Sequence, residues 1–553
     1  MRKIIICAGL LWSAAAFAQN LNPTVEVTNT YAREASGIEK PSQLLAIPDS
    51  LTRFNLDFDY AVNEMPYQGA YEFTPYLVEP RPSARLSAEK KLYLRLGAGY
   101  TLHPELAVVW TPVKTQKFRL NFFGDHYSYI GDYHNIILST QGVFEPGGVA
   151  RKGMELRSRV GADALLNWRS GIFRADVQYN NISASSDILL PAPGSPGASE
   201  GNWMHHIFRA STRVQNVPGT TKVDYEVGTQ AALISAAAGL QEIHTVTDAS
   251  LRAQIFRQSI KMGIQAETVT QPDGTAASFH VALPSYVYNG KRFSLKAGVK
   301  AAFLLRSDAA FVPSREGHLF PDVQASVALA KDYLTLYMAV TGGNELMSYD
   351  SYLQKDSFID GATWYTDVKV QRVLASLGLR GNIGRRFHFD VKGGYSWIDN
   401  MWLWAYNPGS YQPAVSYASP IHSFFAVVDA GWKNQFLSAS GYLKYVYTFD
   451  NEKTATAGVV PFIPASFSGH AQVFYNWGTR IEAGVTLEGR SHMDSRLGRL
   501  PGYLDLGLQG SMRMTSRMGV WLKLGNLLNQ PVQRVPFYAE KGVYFTAGIV
   551  FNL

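Results

Sequence analysis

Cysteine is almost absent from the sequence, which has 553 residues and a single cysteine, Cys7. Cys7 lies in an apolar run that follows Arg2 and Lys3. Residues 16–18 (Ala-Phe-Ala) carry small side chains at the positions that a signal peptidase reads. We therefore predict an export signal at residues 1–18. Once it is removed, the chain has no cysteine, which excludes disulfides and cysteine metal sites.

Long apolar runs are also absent after this segment. A membrane-spanning helix needs about 20 apolar residues in a row, and none follows, so a helical membrane protein is excluded. Charge is sparse as well, at 17% of residues against 46% hydrophobic. The formal net charge of +7 includes Arg2 and Lys3, and no basic run indicates a nucleic-acid partner.

Signatures of catalysis are missing too. The sequence has no Gly-x-Ser-x-Gly motif, and its 12 histidines are scattered. A nucleophilic site needs a serine or cysteine beside a base. We therefore expect no enzyme, no catalytic residue, no cofactor and no metal site.

What the sequence does contain is strict alternation of apolar and polar residues from about residue 91 onward. In 292–306, apolar side chains occupy every second position from Phe293 to Leu305. The segment 480–490 repeats the scheme. Such segments are longer than the usual strand of about 5–6 residues and match a tilted bilayer crossing. Counting them over 91–553 predicts a closed antiparallel transmembrane β-barrel of about 22 strands.

The links between these segments alternate between short and long. Outer-membrane barrels have short periplasmic turns and long outside loops, so the alternation favours a barrel over a soluble sandwich. Aromatic residues near the predicted strand ends are expected to form interfacial girdles. The predicted long links are 129–152, 184–202, 307–318, 346–366, 399–421, 451–464 and 529–540. The predicted girdle residues are Tyr127, Tyr129, Tyr286, Tyr288, Trp402, Trp404 and Tyr406.

The last alternating segment, 541–553, is predicted to close the barrel by pairing with 92–100. An open sheet edge would leave a row of backbone groups unpaired in hydrocarbon. The apolar end of this strand also resembles the C-terminal signal that the outer-membrane assembly machinery reads. The residues of this predicted signal are Phe545, Ile549, Phe551 and Leu553.

The polar faces of the strands place charges in the predicted lumen. Rings of cations can select anions in a pore, whereas pairing with glutamates across the lumen gives them a purely structural role. The pairing with Glu482 and Glu488, or residues like them, is the favoured interpretation. The predicted lumen-facing charges are Arg292, Lys296, Lys300, Arg306, Arg480, Glu482, Glu488 and Arg490.

The C-terminal tenth of the chain resembles TonB-dependent receptors of the bacterial outer membrane. The matching parts are the aromatic-Leu-Asp-Leu strand at 503–506, the Leu-x-Asn-Leu-Leu-Asn turn at 524–529 and the closing strand. The resemblance implies a 22-stranded barrel with a wide lumen. It also implies an N-terminal plug that occludes the lumen and is opened by TonB, an energised periplasmic partner.

The N-terminal region departs from that family pattern. A plug needs well over a hundred residues, but only about 70 lie between the predicted signal and the first barrel strand. We predict that 19–90 is an extended periplasmic or lumen segment, not a standard plug. Within it, a short stretch resembles the box that engages TonB. Its residues are Thr24, Val25, Glu26, Val27 and Thr28.

Two functions remain open at this stage. The first is a receptor or transporter barrel that handles a solute at the cell surface. The second is a structural barrel of an outer-membrane complex, either an anchor for surface lipoproteins or a part of assembly or secretion machinery. The expected partners are outer-membrane lipids, the barrel-assembly machinery and, depending on the function, TonB, surface lipoproteins or other complex subunits.

Overall fold

The computed structural model describes residues 91–553 apart from short internal gaps. The gaps are 101, 189–198, 218–220, 237–238, 256–257, 273, 309–313, 332, 354–367, 385, 407–412, 419, 450–459, 479 and 497. The predicted signal peptide at 1–18, the segment 19–90 and the TonB-box-like stretch 24–28 therefore lie outside the described residues. Their assignments stay predictions.

In the described residues, 22 antiparallel strands form one continuous sheet, which is the wall of a closed barrel. Each wall strand pairs with the next wall strand along the chain. The wall strands are β1 (Leu92–Gly99), β2 (Glu105–Lys114), β3 (Phe118–Leu138), β5 (Arg151–Trp168), β6 (Gly171–Ile188), β7 (Ser199–Asn216), β8 (Val223–Ser235), β9 (Gln241–Ile255), β10 (Gln258–Gln271), β11 (Gly274–Asn289), β12 (Phe293–Asp308), β13 (Ser314–Ala330), β14 (Leu334–Leu346), β15 (Val368–Ile383), β16 (Phe387–Asp399), β19 (Ile421–Lys433), β20 (Leu437–Thr448), β22 (Phe467–Trp477), β23 (Ile481–Arg490), β26 (Tyr503–Arg513), β27 (Met518–Gly525) and β30 (Tyr544–Asn552).

The ring closes where β1 pairs with β30. Leu94 is opposite Phe551 in the antiparallel register, and the Leu92 N–H donates to the Leu553 carbonyl at 2.8 Å. This confirms the predicted seam, the closed fold and the strand number. Every wall strand thus has a neighbour on both sides, as hydrocarbon requires.

Along most of the wall, alternation places apolar side chains outside and polar ones inside. Toward the extracellular end of β10–β15 the inner face instead carries an apolar cluster, which includes Leu304 and Phe320. On β12, Val299 and Phe303 project outward and are 42% and 52% exposed, whereas Lys300 faces inward and is 0% exposed. The last strand follows the same rule, with Phe545 and Ile549 exposed on the outer face. The outer surface is therefore built to contact lipid. The assembly-signal role of the last strand remains a prediction.

Short and long links between wall strands lie at opposite ends of the barrel, as predicted. The links that follow even-numbered wall strands have two to six residues, and the longest links all lie at the opposite end. By the rule for outer-membrane barrels, the long-link end is extracellular. Both ends of the wall, at β1 and β30, then face the periplasm.

Several predicted long links are wrong in part, because the strands continue into them. β3 runs to Leu138 and β6 runs to Ile188, so 129–138 and 184–188 are strand. Outside the bilayer both faces of a strand contact water or loops. The apolar alternation therefore fades, although the backbone pairing goes on.

The extracellular links carry short elements of their own. In the described residues there is one helix, and it lacks the length and apolar character needed to cross a membrane. These link elements are β4 (Phe144–Pro146), α1 (Tyr349–Leu353), β17 (Met401–Tyr406), β18 (Pro413–Ala418), β21 (Val460–Pro461), β24 (Met493–Asp494), β25 (Arg499–Leu500), β28 (Gln533–Val535) and β29 (Tyr538–Lys541).

Close packing at the seam makes Gly548 a test of closure. A Cβ at Gly548 would overlap the Leu96 carbonyl oxygen and approach the Trp521 ring. Gly548→Ala should therefore destabilise the barrel by about 1–3 kcal/mol. The measurements are the midpoint of unfolding, which should fall, and the fraction of protein that runs as the folded, heat-modifiable band on a gel, which should decrease. The matched control is Gly510→Ala, whose nearest neighbour would be the Glu482 carbonyl oxygen at 3.7 Å. Equal stability of the two variants would contradict this account of the seam.

Candidate functional site

The lumen wall carries charges that pair with their strand neighbours. Lys296 on β12 contacts Asp322 on β13, with Nζ and Oδ2 2.6 Å apart. Lys300 is fully buried on the same face. The partner of Lys296 is thus on the adjacent strand, and not Glu482 or Glu488 across the lumen.

The other predicted lumen charges lie at different heights along the wall. Arg292 and Arg480 are exposed next to the short links at the periplasmic end. Glu488 and Arg490 lie at the extracellular end of β23, where both contact the link between β27 and β30. Glu482 is partly buried, and the side chain of Arg306 is outside the described residues.

A contiguous apolar cluster joins the extracellular links to one another, and we call it the cap. Its buried members come from the upper wall strands and from the links after wall strands 3, 7, 13, 15, 17, 19 and 21. They are Ile136, Phe144, Ile182, Trp203, Ile207, Ile234, Ala236, Met347, Tyr349, Tyr352, Leu353, Trp404, Phe462, Met493, Leu500, Val535, Phe537, Tyr538 and Ala539.

Ring contacts show that the cap crosses the mouth of the barrel. Phe144 and Phe462 have ring centroids 5.7 Å apart, although eight wall strands separate their links around the ring. Trp203 and Tyr538 are 5.9 Å apart and come from elements separated by six wall strands. Links from distant parts of the circumference can meet in this way only over the lumen. The cap therefore extends across the extracellular mouth.

Backbone hydrogen bonds tie the same links together. The Phe462 N–H donates to the Trp404 carbonyl at 2.7 Å, and the Ile463 N–H donates to the Asp494 carbonyl at 2.8 Å. The Arg499 N–H donates to the Gly142 carbonyl at 2.6 Å. These bonds satisfy backbone groups that burial would otherwise penalise. The links of the cap are therefore joined by backbone hydrogen bonds as well as by apolar contacts.

The link between β14 and β15 is anchored to the wall through α1. The Tyr349 N–H donates to the Glu242 carboxylate at 2.9 and 3.0 Å, and Gln271 donates to the same group at 2.7 Å. Asp350 forms an ion pair with Arg209 of β7. Buried charged contacts of this kind fix one arrangement of the link against the wall.

The hairpin β28–β29 is the second anchored part of the cap. The Arg534 guanidinium lies 2.9 Å from the Glu488 carboxylate and 2.5 Å from that of Glu540, and it donates to the Tyr503 hydroxyl at 3.2 Å. Burial opposes the charged form of Arg534, but the two carboxylates outweigh it and hold the pKa of the guanidinium well above its ordinary value. The guanidinium therefore stays charged.

The far end of the hairpin is held by a lysine in an aromatic cage. Lys541 Nζ lies 4.3 Å from the ring centroid of Tyr127, 5.3 Å from that of Tyr129 and 4.1 Å from that of Tyr544. An ammonium within about 6 Å of a ring centre is attracted by the ring quadrupole. The hairpin is thus fastened at both ends, by an ion pair and by cation–π contacts.

The structure corrects four of the girdle predictions. Tyr127 lies in the tyrosine cage on the inner face, and Trp402 packs against the cap. Trp404 and Tyr129 are buried, at 8% and 4% exposure, within the cap and the tyrosine cage. Tyr286 is 42% exposed on the outer face, where a girdle residue belongs. Sequence reasoning missed the cap because its contacts join residues far apart in the chain. The one signal was the high aromatic content of the long links.

No group of three or more histidine, cysteine, aspartate or glutamate side chains in the described part of the chain is placed to hold a metal ion. The candidate site that the described residues form is the cap and the lumen wall below it.

Comparison with known proteins gives the fold a context. No family model and no curated protein matches the chain. Among solved structures, the FrpB iron transporter from Neisseria meningitidis is similar, at a TM-score of 0.62 and 9% identity, over 84% of this chain and 82% of that one. The ferric enterobactin receptor PfeA from Pseudomonas aeruginosa aligns at 0.60 and 9%, over 84% and 80%. The copper transporter OprC aligns at 0.58 and 12%, over 84% and 80%.

These likenesses and the outer surface define the class by fold. The chain has the 22-stranded outer-membrane barrel architecture of TonB-dependent receptors. This confirms the 22-stranded barrel that the resemblance in the C-terminal sequence implied. The similar solved structures are transporters and receptors, not enzymes.

The hairpin anchor can be tested through Glu488→Gln, which removes the charge and keeps the shape. Losing one partner of a buried ion pair costs roughly 3 kcal/mol, so a thiol at Ala539→Cys in the hairpin should be labelled on the order of 100-fold faster. The introduced thiol is the only one in the mature chain, because the sole natural cysteine, Cys7, lies in the predicted export signal.

Glu482→Gln, near the other end of the same strand, serves as the control and should leave the labelling rate unchanged. Equal rates in the two variants would mean that Glu488 does not hold the hairpin.

Proposed function

We propose that this protein is a receptor-type barrel of the outer membrane that binds a solute at the cell surface and admits it to the periplasm. The observation that carries the proposal is the cap over a barrel whose lumen is too wide for wall side chains to fill. The similar solved structures are named as transporters of copper and iron and as a receptor for ferric enterobactin. Their shared architecture supports transport here.

In this proposal the cap is the outer gate. We assign the hairpin β28–β29 as its movable part because it belongs to a link and not to the wall, although it contacts the wall through Arg534, through Lys541 and through pairing of β29 with β3. Below the gate, the inward charges on β12 and β13 give the solute a polar route. The charges there are balanced in part, because Lys296 pairs with Asp322.

The proposal assigns the inner step to the N-terminal segment. Residues 24–28 would engage TonB, and 19–90 would lie in the periplasm or the lumen in place of a plug. A short extended segment is a suitable binding site for TonB, because peptides commonly bind by adding a strand to the edge of a partner's sheet.

The TonB contact has a direct test. The immobilised periplasmic domain of TonB should retain the detergent-solubilised protein, and deletion of residues 24–28 should abolish the retention. Deletion of residues 30–34 is a control of equal length and should have little effect. Retention that survives the first deletion would remove the TonB contact from the proposal.

A structural role is the second candidate, and the closed cap favours it. A barrel that anchors surface lipoproteins or serves assembly or secretion machinery has no need of an open mouth. Gentle detergent extraction distinguishes the two. Partners that co-purify in fixed stoichiometry, together with no effect of deleting 24–28, would favour the structural role.

The gate predicts a conductance change. In a planar bilayer the protein should conduct little, and replacing residues 531–542 with a short Gly-Ser link should raise the conductance by opening the cap. Should the rise also require deletion of 19–90, that segment lies in the lumen. No rise in either variant would contradict the assignment of the cap as the gate.

A further inference from the structure

The three tyrosines around Lys541 form a site in their own right. Tyr127 and Tyr129 lie two residues apart on the inner face of β3, and Tyr544 begins β30. Behind them His103 packs against all three rings, with centroid distances of 5.0, 5.6 and 5.3 Å. The rings are therefore held in place by the wall and its first link, independently of the hairpin that supplies Lys541.

The chemistry of the cage suits one class of ligand. Aromatic faces arranged around a point attract a cation, and several rings together are the known way to hold quaternary ammonium groups. Glu105 lies behind the cage, with its Oε1 3.5 Å from His103 Nε2. Its charge is balanced by Arg95 and Lys523 at 3.6 and 3.7 Å. Lys523 Nζ is itself 5.6 Å from the Tyr544 ring centroid, so this ring already attracts a second cation. Tyr129 and Tyr544 are almost fully buried, so the contacts act in a region of low dielectric.

We propose that this cage is a binding site for an organic cation, an ammonium group on the transported solute, and that Lys541 occupies it as an internal substitute. The cation that fills the cage in the closed state belongs to the hairpin β28–β29. A solute ammonium that takes the place of Lys541 removes the cation–π contacts of the hairpin, while its contacts through Arg534 and through pairing with β3 remain. Ligand binding then loosens the cap.

This inference rests on the proposed function only for the route of the solute, and the test measures binding without uptake or TonB. The probe is choline, and its neutral isostere 3,3-dimethyl-1-butanol controls for shape without charge. Binding of both to the full-length protein in detergent is measured by titration calorimetry. Removal of the competitor in Lys541→Ala should tighten choline binding about tenfold or more, whereas Lys541→Arg keeps a cation in the cage and should bind as weakly as the wild type.

The cage itself is checked in the Lys541→Ala background. Adding Tyr544→Leu should abolish choline binding, and adding Tyr544→Phe should preserve it because the ring face remains. Heat-modifiable migration on a gel shows that each variant has formed the barrel.

Two results would overturn the proposal: choline binding no tighter in folded Lys541→Ala than in the wild type, or equal binding of choline and the neutral isostere. If Lys541→Ala fails to fold, a second measurement tests the proposal in protein that retains Lys541. With the thiol at Ala539→Cys, choline should accelerate labelling of the hairpin and dimethylbutanol should not. Equal labelling with both compounds would also refute the proposal. Loss of TonB retention would leave all these outcomes unchanged, so the two hypotheses fail separately.

Discussion

Hydrocarbon cannot hydrogen-bond to a peptide group, and most of this structure follows from that constraint. It requires that every wall strand have two neighbours, so the first and last strands must meet. The meeting is backbone to backbone, with β1 and β30 in register from Tyr93 to Gly99. Glycines at 97 and 548 allow the Trp521 ring to lie against this seam, and Arg95 stacks on that ring at 3.7 Å. Closure thus also determines which side chains are tolerated where the ends join.

Closure with 22 strands creates a second problem, because such a barrel is wider than its own side chains can fill. The extracellular links solve part of it by folding inward. Their aromatic side chains bury large areas against one another, as Phe144 does against Phe462 and Phe537. Charged anchors such as Arg209–Asp350 then fix where each link meets the wall. The apolar layer stabilises the cap, and the ionic contacts determine where each link lies against the wall.

Sequence alone predicted the parts of the molecule that local rules govern. The alternation on β12 identified its lipid and lumen faces, from Val299 outside to Lys300 inside, because side-chain direction in a strand has a period of two. The sorting of the links gave the orientation, and the pattern of 541–553 gave the seam. Strand ends were less accurate, as at β3, because the outward apolar requirement stops at the membrane surface.

The candidate site was mostly beyond sequence reasoning. Glu488 was placed in the lumen, but its partner Arg534 is on a link whose course no periodicity encodes. The tyrosine cage joins residue 127 to residues 541 and 544, and only the closed ring brings them together. Trp404 was predicted at the membrane interface because an aromatic residue near a strand end fits either location. Tertiary contact decided between the two.

The contacts of the cap join residues that are far apart in the sequence, which has a consequence for the order of folding. The Gln533 side chain donates to the Phe144 carbonyl across 389 positions of sequence, and Arg499 forms a parallel bridge with Val143. Contacts of such high sequence separation form late, after the chain between them has been ordered. The seam joins residues still farther apart in sequence, from Tyr93 to Asn552. The cap and the seam therefore both wait for the C-terminal strands, and neither can form until nearly the whole barrel sequence has been made.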